Sequence, residues 1–237
     1  MWQCTYSEEG IEVYSNRILK GRYLFIQDPC CRKCACPNVT VDDCSWHWKS
    51  YGFERVYAMG AYYPSLGSPT AIGWTDFLSN HIRGLKLYPR YAIPLGLGLS
   101  LCIQNRFKEL REMDVIVPVP KFQTELKKAR NNPEIVYNQA VELSKIISKN
   151  TGIEYLEALR KTRAQDMKHL SWNEKWQVVK GLYEVADIKA VDSNRIMLVD
   201  DVYTSGATVS ECSEILTQAG AKIVNVLVAG RDVGHGD

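Results

Sequence analysis

The chain has 237 residues, of which 46% are hydrophobic and 24% are charged, and its formal net charge is +2. These proportions are typical of a soluble globular protein and exclude collagen-like, disordered and coiled-coil chains. The longest apolar run, over residues 92–103, spans about 12 residues, which is too short for a membrane span. Because the N-terminus also lacks the features of a signal peptide, we expect a cytoplasmic protein.

Positive and negative charges concentrate in different parts of the chain. Residues 121–180 carry 12 positive and 7 negative side chains, whereas residues 181–237 carry 4 and 9. A basic middle beside an acidic end suits a cationic pocket that closes over a phosphorylated ligand. The alternative, that these charges lie on solvated helix faces, is left open.

Five cysteines lie within residues 30–44, and this cluster predicts metal ligands rather than disulfides in a chain without a secretory signal. The best spacing joins Cys31-x-x-Cys34 to Cys44-x-x-His47. Each two-residue spacer lets a tight turn aim both side chains at one tetrahedral Zn²⁺. Four protein ligands leave no open position for chemistry, so the expected zinc is structural.

The ligand set has alternatives. Cys30 or Cys36 could replace a neighbouring cysteine, and Cys4 is a more distant candidate. The cysteines could also be reduced thiols packed under nearby aromatic residues. Because a segment of this length buries little core, a metal would be its main stabiliser. We therefore predict a zinc-knuckle domain over residues 1–54 and a second domain over residues 55–237.

The rest of the chain alternates between strand-like and helical patterns. A short strand or hairpin is expected within residues 1–22, and further strands over residues 56–63, 114–120, 153–156, 181–185, 195–199 and 222–229. Helices are expected from residue 70 to before residue 89, and over residues 94–107, 134–150 and 207–219. Strands separated by such helices predict an α/β fold, with a parallel sheet covered by helices on both faces.

The most specific motif covers residues 196–208, where an apolar strand ends in Asp200 and Asp201. Ligands bind at the carboxyl ends of strands in open α/β sheets. The following turn of small residues offers backbone N–H groups to an anion, and the helix N-terminus adds about half a positive charge. Gly206 lets the chain approach that anion without an intervening side chain.

A sugar phosphate accounts for acids beside an anion site. Residues 204–208 would hold its phosphate, while Asp200 and Asp201 would accept hydrogen bonds from ribose hydroxyls. The motif is neither the nucleotide loop with Gly-Lys-Ser/Thr nor Gly-x-Gly-x-x-Gly. In the alternative, the acidic pair lies in a loop and caps a helix. This alternative does not explain why an apolar strand, two acids and a glycine turn follow one another directly.

Residues 196–208 resemble the phosphoribosyl pyrophosphate (PRPP) signature of type I phosphoribosyltransferases. Beyond it, the chain resembles the ComF family of competence-associated, phosphoribosyltransferase-like proteins, whose members carry an N-terminal zinc knuckle. Further segments similar to the family pattern are residues 82–86, 117–120, 137–140, 162–165, 170–171 and 181–183. The resemblance implies a type I phosphoribosyltransferase (Rossmann-like) fold that binds PRPP with Mg²⁺.

The resemblance also assigns roles to residues. Asp200 and Asp201 take the catalytic positions. The expected PRPP-binding residues are Tyr203, Thr204, Ser205, Gly206, Ala207, Thr208, Val119, Pro120 and Lys121. Whether a phosphoribosyl group is transferred to an acceptor, with release of pyrophosphate, is left open. The family further implies a link to DNA uptake in natural transformation, with single-stranded DNA and a DNA-uptake helicase as partners.

Some residues depart from the family pattern in segments that bear on pyrophosphate binding and catalysis. Residues 133–136 are not basic where members have Arg-x-Arg-Gly, and Lys175 and Val178 replace an expected Arg and Asn. Candidates for a mobile basic loop are Lys127, Lys128, Arg130 and Lys168. Two other functions are kept: a nucleobase phosphoribosyltransferase of salvage, and a non-catalytic module that binds single-stranded nucleic acid or a protein partner.

Overall fold

The computed structural model describes the chain of 237 residues except residues 32, 41, 45–51, 65–75, 168 and 234–237. The strands are β1 (Trp2–Tyr6), β2 (Gly10–Ser15), β3 (Ile18–Leu24), β4 (Val56–Tyr62), β5 (Val115–Pro118), β6 (Lys127–Ala129), β7 (Asn132–Tyr137), β8 (Glu154–Tyr155), β9 (Leu159–Lys161), β10 (Tyr183–Val185), β11 (Arg195–Tyr203) and β12 (Ile223–Asp232). The α-helices are α1 (Phe77–Leu85), α2 (Ala92–Asn105), α3 (Gln139–Thr151), α4 (Trp172–Val178) and α5 (Ala207–Gln218).

A five-stranded sheet of order β4-β12-β11-β5-β8 forms the centre of the protein, and each neighbouring pair in it is parallel. Its central strand, β11, is apolar and buried from Ile196 to Val199, as expected for a strand that is covered on both faces. The predicted α/β fold with a parallel sheet is therefore confirmed.

Each face of the sheet carries its own apolar core because strand side chains alternate in direction. On one side, Met197 and Val199 of β11 pack with α1, α2 and α3. On the other side, Ile196 and Leu198 pack with α5 and with the buried cysteines near the N-terminus. The cysteine segment thus shares a core with the sheet, and a domain boundary after residue 54 stays a prediction.

Strands β1, β2 and β3 form a separate antiparallel sheet, which replaces the short strand or hairpin expected within residues 1–22. Its buried Tyr23 side chain pairs through the hydroxyl with Nδ1 of His81, at 2.5 Å, on helix α1. The His81 ring also contacts Trp2, Phe77 and Tyr91. This aromatic cluster fixes the N-terminal sheet against α1.

The helix predicted over residues 134–150 is wrong at its N-terminal end. Residues Asn132–Tyr137 form β7, which pairs with β6, and the helix begins only at Gln139. Asn138 explains the boundary because it has extended backbone, and its side chain accepts a hydrogen bond from the Ala140 N–H at 3.0 Å. Asn is a strong N-cap residue, whereas apolar spacing alone could not locate the first turn.

The other predicted elements agree with the structure, apart from shifts at their ends. Helix α1 begins at Phe77, and residues 70–75 of its predicted N-terminal part lie outside the described residues. The predicted strand at 181–185 exists as β10, but it pairs antiparallel with β9 outside the main sheet. Strand β9 was not expected, because three residues are too few to give a readable alternation.

Burial of His81 predicts a pH-dependent stability. Burial lowers the pKa of His81 to about 4, whereas an unfolded histidine titrates near pH 6.5. As the pH falls from 6.5 towards 4, His81 therefore binds a proton in the unfolded chain but stays neutral in the folded chain. This difference should lower the free energy of unfolding by about 2.5 kcal/mol at pH 4.5.

Denaturant unfolding of the wild type and of His81→Phe at pH 7 and pH 4.5 tests this expectation. The variant removes the titrating group, so its stability should fall less between the two pH values than that of the wild type. An equal fall in both proteins would show that His81 does not contribute to the pH dependence.

Candidate functional site

The connections of the two central strands create a crevice at one end of the sheet. Strand β11 leads through α5 to β12 on one side, and β5 leads through α3 to β8 on the other. Where neighbouring parallel strands diverge in this way, the space beyond their carboxyl ends is left open for ligands. The segments that follow β5 and β11 border this space.

Two carboxylates stand at the end of β11. Asp201 is 9% exposed, and Asp200 is half-buried and accepts a hydrogen bond from the Asp201 N–H at 2.8 Å. Burial, followed by the neighbouring Asp201 charge, raises the pKa of Asp200 well above its usual value. The pair therefore resists carrying two full negative charges, as expected for adjacent buried carboxyl groups.

Two lysines offset the charge of this pair. Burial alone would raise the pKa of Asp201, but the Lys121 and Lys86 ammonium groups hold it below its usual value. Burial opposes the charged form of Lys86, yet Asp201 and then Tyr62 raise its pKa. The Lys86 Nζ atom lies 5.5 Å from the centre of the Tyr62 ring.

Lys86 was missed as a site residue by the sequence analysis. It follows the last residue of α1 and is the final residue of the motif at 82–86. A lysine at a helix end is common because it complements the helix dipole, so the sequence alone gave no reason to place it at the ligand site.

A turn and a helix start follow the acidic pair. Thr204 is exposed and Ser205 is half-buried, and the Ser205 hydroxyl accepts a hydrogen bond from the Ala207 N–H at 3.4 Å. Gly206, with φ +79°, stands at the N-cap of α5 and makes no side-chain hydrogen bond to the helix. The turn can thus receive an anion, with Thr208 half-buried one position into the helix.

Gly206 also accommodates the residue beneath the turn. A Cβ atom at position 206 would overlap the hydroxyl of Tyr203, which is 3% exposed. Tyr203 is one of the predicted PRPP-binding residues. Its ring packs beneath the turn, and its backbone forms the last residue of β11. Its role in binding stays a prediction.

The loop after β5 lies directly beside β11. The Val119 N–H donates to the Val199 carbonyl at 2.9 Å, and the Val119 carbonyl accepts from the Asn138 side chain at 2.9 Å. Lys121 donates a hydrogen bond to the buried Gln139 side chain at the start of α3. The loop that holds Val119, Pro120 and Lys121 therefore begins beside the end of β11, and Lys121 lies close enough to Asp200 and Asp201 to influence their pKa values. Proximity of this loop to residues 203–208 stays a prediction.

A buried ion pair borders the same edge of the sheet. The Lys161 ammonium donates to both Glu125 oxygens, at 2.7 and 2.8 Å, and its side chain is 6% exposed. Glu125 also accepts from the Gln165 N–H at 2.8 Å. Lys161 lies 5.8 Å from the ring centre of Tyr183, whose hydroxyl interacts with Thr208. This network attaches strands β9 and β10 to both loops.

The basic residues predicted for a mobile loop lie in two places. Lys127 and Lys128 lie on β6, and Arg130 lies in the turn that joins it to β7. Lys168 lies outside the described residues.

Three cysteines form a cluster that could hold a metal such as zinc. The metal-ligating atoms of Cys31, Cys34 and Cys44 lie within 4.8 Å of one another, and all three residues are buried. The Cys34 and Cys44 sulfur atoms are 3.6 Å apart. Two thiolates on a tetrahedral zinc at about 2.3 Å each would be about 3.8 Å apart, so this sulfur spacing fits the ion.

A tight turn brings the first cysteines together. The Cys31 N–H donates to the Cys36 carbonyl and the Ala35 N–H to the Cys31 carbonyl, both at 2.8 Å. The fourth predicted ligand, His47, lies outside the described residues. Cys36 interacts with the Cys34 and Cys44 thiols and therefore stays an alternative fourth ligand.

A described cavity lies away from this crevice. It has a volume of about 350 Å³ and lies at the amino end of β4, beside Cys30, Arg55 and Tyr57. Arg55 stacks on the Tyr57 ring at 4.6 Å and Arg106 donates to the Ile26 carbonyl at 2.9 Å. The cavity is therefore a separate feature from the carboxyl ends of β5 and β11.

No family model matches the chain. It is 30% identical over 171 residues to Competence protein F from Haemophilus influenzae, an alignment that spans 69% of this chain and 72% of that protein. Among the residues that the structure describes, no helix is long and apolar enough to cross a membrane.

Solved structures resemble the chain more weakly. Glutamine PRPP amidotransferase from B. subtilis, complexed with ADP and GMP, is 16% identical, with 93% of this chain and 36% of that chain covered and a TM-score of 0.38. Purine phosphoribosyltransferase from Pyrococcus horikoshii is 14% identical, with coverages of 56% and 82% and a TM-score of 0.33. An allosteric regulatory enzyme of purine biosynthesis is 23% identical, with coverages of 56% and 24% and a TM-score of 0.37. At these scores the fold rests on the sheet topology itself.

The structure predicts different outcomes for alanine at two glycines with the same backbone conformation. Gly206 and Gly152 have φ of +79° and +80°, but a Cβ atom meets Tyr203 at the former and nothing within 4 Å at the latter. Gly152→Ala should cost about 1 kcal/mol from backbone strain alone. Gly206→Ala should cost at least about 1 kcal/mol more because of the overlap.

Chemical denaturation of both variants, and of Gly206→Ala combined with Tyr203→Phe, measures these costs. Removing the hydroxyl should recover part of the loss at Gly206. Equal losses for Gly206→Ala and Gly152→Ala would contradict the packing described for Tyr203.

The cysteine cluster predicts that Cys34→Ser lowers metal content and thermal stability, because it removes one of three converging sulfur ligands. Cys4→Ser is the matched control, since the Cys4 thiol lies in β1 and donates to the Pro94 carbonyl at 3.6 Å. Elemental analysis should find about one metal ion per wild-type or Cys4→Ser chain and clearly less in Cys34→Ser. An unchanged metal content in Cys34→Ser would remove Cys34 from the ligand set.

Proposed function

The chain belongs to the Competence protein F family, and from this membership we propose that it is a phosphoribosyltransferase-like protein that binds PRPP, or a related sugar phosphate, together with Mg²⁺. The observation that carries the proposal is the crevice between β5 and β11. It combines a paired acid site, two lysines that act on it and a glycine turn at a helix N-terminus.

Each part of the crevice suits one part of PRPP. The turn at residues 204–208 would hold the 5′-phosphate with its N–H groups and hydroxyls. Asp200 and Asp201 would accept hydrogen bonds from the ribose hydroxyls. The backbone of residues 119–121 and the Lys121 ammonium would face the pyrophosphate. Lys86 would place a second positive charge beside the acidic pair.

In a transfer reaction, an acceptor would attack the ribose C1 atom as pyrophosphate leaves. Positive charge would develop on the sugar, and Asp200 and Asp201 would stabilise it, while Lys121 would stabilise the negative leaving group. Mg²⁺ bound with PRPP would supply further charge neutralisation on the pyrophosphate. Among the described residues that border the crevice, no side chain identifies the acceptor.

For the cysteine cluster we propose a structural zinc. Cys31, Cys34 and Cys44 would provide three thiolates, and His47 the fourth ligand, with Cys36 as the alternative. Soft thiolate ligands favour Zn²⁺ among the common divalent ions, and a filled tetrahedral site stabilises a short segment without taking part in chemistry.

A role in DNA uptake is the wider proposal. It is supported by the name of the Haemophilus influenzae relative, Competence protein F. Single-stranded DNA and a DNA-uptake helicase would be the partners, and the cytoplasm the location. These partners extend the proposal and are not required by the PRPP site.

The PRPP proposal predicts that Asp200→Asn combined with Asp201→Asn weakens PRPP binding at least tenfold. The change removes charged acceptors, and a hydrogen bond to a charged group contributes about 1.5–3 kcal/mol. Asp114→Asn is the matched control, because Asp114 lies at the opposite end of β5 and pairs with Arg195 at 2.9 Å. Calorimetric titration with PRPP and Mg²⁺ measures all three proteins.

Binding by the wild type and by Asp114→Asn, but not by the double variant, is the expected result. A wild-type protein that does not bind PRPP would contradict the proposal. If it binds, pyrophosphate release with a panel of nucleobases distinguishes a salvage transferase from a protein with another acceptor. Salt-sensitive binding of single-stranded DNA that persists in the double variant would instead favour the nucleic-acid-binding module.

A further inference from the structure

A buried arginine lies between the anion-binding turn and the cysteine cluster. Arg231, near the end of β12, is 5% exposed. Its Nη1 atom donates to the carbonyls of Tyr203, Thr204 and Asp232 at 3.2, 2.9 and 2.9 Å. A buried guanidinium is costly unless it is well bonded, so these contacts hold both the arginine and the turn in place.

The local path of β12 explains how Arg231 reaches this position. A Cβ atom at Gly230 would contact Tyr62 and Ile82, on the face of the sheet that carries α1. Because side chains alternate along a strand, the Arg231 side chain lies on the opposite face. There its guanidinium carbon stands 5.0 Å from the ring centre of Tyr203.

The two bonds to consecutive carbonyls orient the turn. In a trans peptide, the carbonyl of one residue and the N–H of the next point in opposite directions. Because Arg231 binds the carbonyls of Tyr203 and Thr204, the N–H groups of Thr204 and Ser205 point away from it. They are the N–H groups that an anion in the turn would meet first.

The same guanidinium also interacts with a cysteine next to the cluster. Arg231 interacts with the sulfur of Cys36, the residue whose thiol also contacts Cys34 and Cys44. Tyr203 and the buried cysteines belong to the same apolar core. A change in the turn that holds Cys34 and Cys36 would therefore displace the group on which the anion-binding turn rests.

We propose that Arg231 is a positioning residue: it aims the N–H groups of Thr204 and Ser205 at the phosphate, and it couples this turn to the cysteine cluster. The inference rests on the proposed function for the identity of the ligand. Coupling of binding free energies is reciprocal, so metal bound by the cysteines favours sugar-phosphate binding, and the sugar phosphate raises the affinity for the metal by the same factor. We expect the tighter metal complex to lose its metal more slowly.

The sequence analysis did not identify Arg231 as a site residue. The predicted last strand ended at Ala229, where the apolar run stops, although the strand continues to Asp232. A charged residue after an apolar strand normally marks its solvent-exposed end. The only signal is that Arg231 directly follows Gly230 at the carboxyl end of a strand beside the motif.

The test compares the zinc-loaded full chain as wild type, Arg231→Lys and Arg231→Gln. Lysine keeps the charge but lacks the planar guanidinium, which stands over the Tyr203 ring and fixes the direction from which Nη1 binds the carbonyls of the turn. Arg195→Gln is the matched control, because Arg195 lies at the other end of the neighbouring strand β11 and is bonded to Asp114. Three quantities are measured: the PRPP dissociation constant with Mg²⁺, the rate of zinc release to a chelator with and without PRPP, and amide hydrogen exchange of residues 203–208.

In the wild type, PRPP should slow zinc release, and removal of zinc should accelerate exchange in residues 203–208 at least tenfold. In both Arg231 variants the PRPP dissociation constant should rise about tenfold, which corresponds to about 1.4 kcal/mol. Exchange should then be fast with or without zinc, and PRPP should no longer slow zinc release. Arg195→Gln should behave as the wild type.

Other outcomes separate this inference from the proposed function. A wild type that binds PRPP with no effect on zinc release overturns the coupling, and this result needs no variant. Arg231 variants with wild-type affinity and wild-type exchange overturn the positioning role. If the wild type does not bind PRPP, the proposed function fails. In that case, zinc-dependent exchange that is lost in Arg231→Lys still supports the positioning role, and unchanged exchange overturns it.

Discussion

The parallel pairing of β5 with β11 is the constraint on which the rest of the structure depends. Backbone hydrogen bonds join the two strands up to the Val119 N–H and the Val199 carbonyl. Just beyond this point the chains leave in opposite directions, one towards α3 and the other through the glycine turn into α5. The divergence leaves space beside the acids and the turn, and Lys86 and Lys121 act on the acids from segments that are far away in sequence.

Electrostatic interactions then determine how readily the two acids of the crevice ionise. Two adjacent carboxyl groups with little exposure to water would disfavour ionisation, and Asp200 has a raised pKa for this reason. Lys121 and Lys86 come from different elements and shift the balance for Asp201 in the opposite direction. Adjacent carboxyl groups whose pKa values are shifted in opposite directions are common at functional sites. Such a pair destabilises the folded protein, so folding alone does not account for it.

Much of this arrangement could be predicted from local sequence. The apolar run before Asp200 identified β11, and the glycine turn identified the start of α5, because both depend on residues that are adjacent in the chain. The same holds for the spacing of Cys31 and Cys34. In contrast, the predicted helix over 134–150 was wrong at its start, since pairing of β7 with β6 overrides the helical spacing there.

What could not be predicted depends on contacts between distant segments. Lys86 joins the acidic pair only because α1 ends beside the crevice, and Arg231 supports the turn only because β12 pairs with β11. The packing of the cysteine segment against the sheet is of the same kind, because nothing in residues 30–44 indicates which surface covers them. Long-range packing, rather than local propensity, decides these parts of the site.

A crystal structure of the zinc-loaded chain grown with PRPP and Mg²⁺ tests the central claim most directly. The account predicts electron density for a phosphate against the N–H groups of the turn at residues 204–206, with ribose hydroxyls bonded to Asp200 and Asp201. A crevice without ligand at saturating PRPP, or PRPP bound instead in the cavity beside Tyr57, would contradict it.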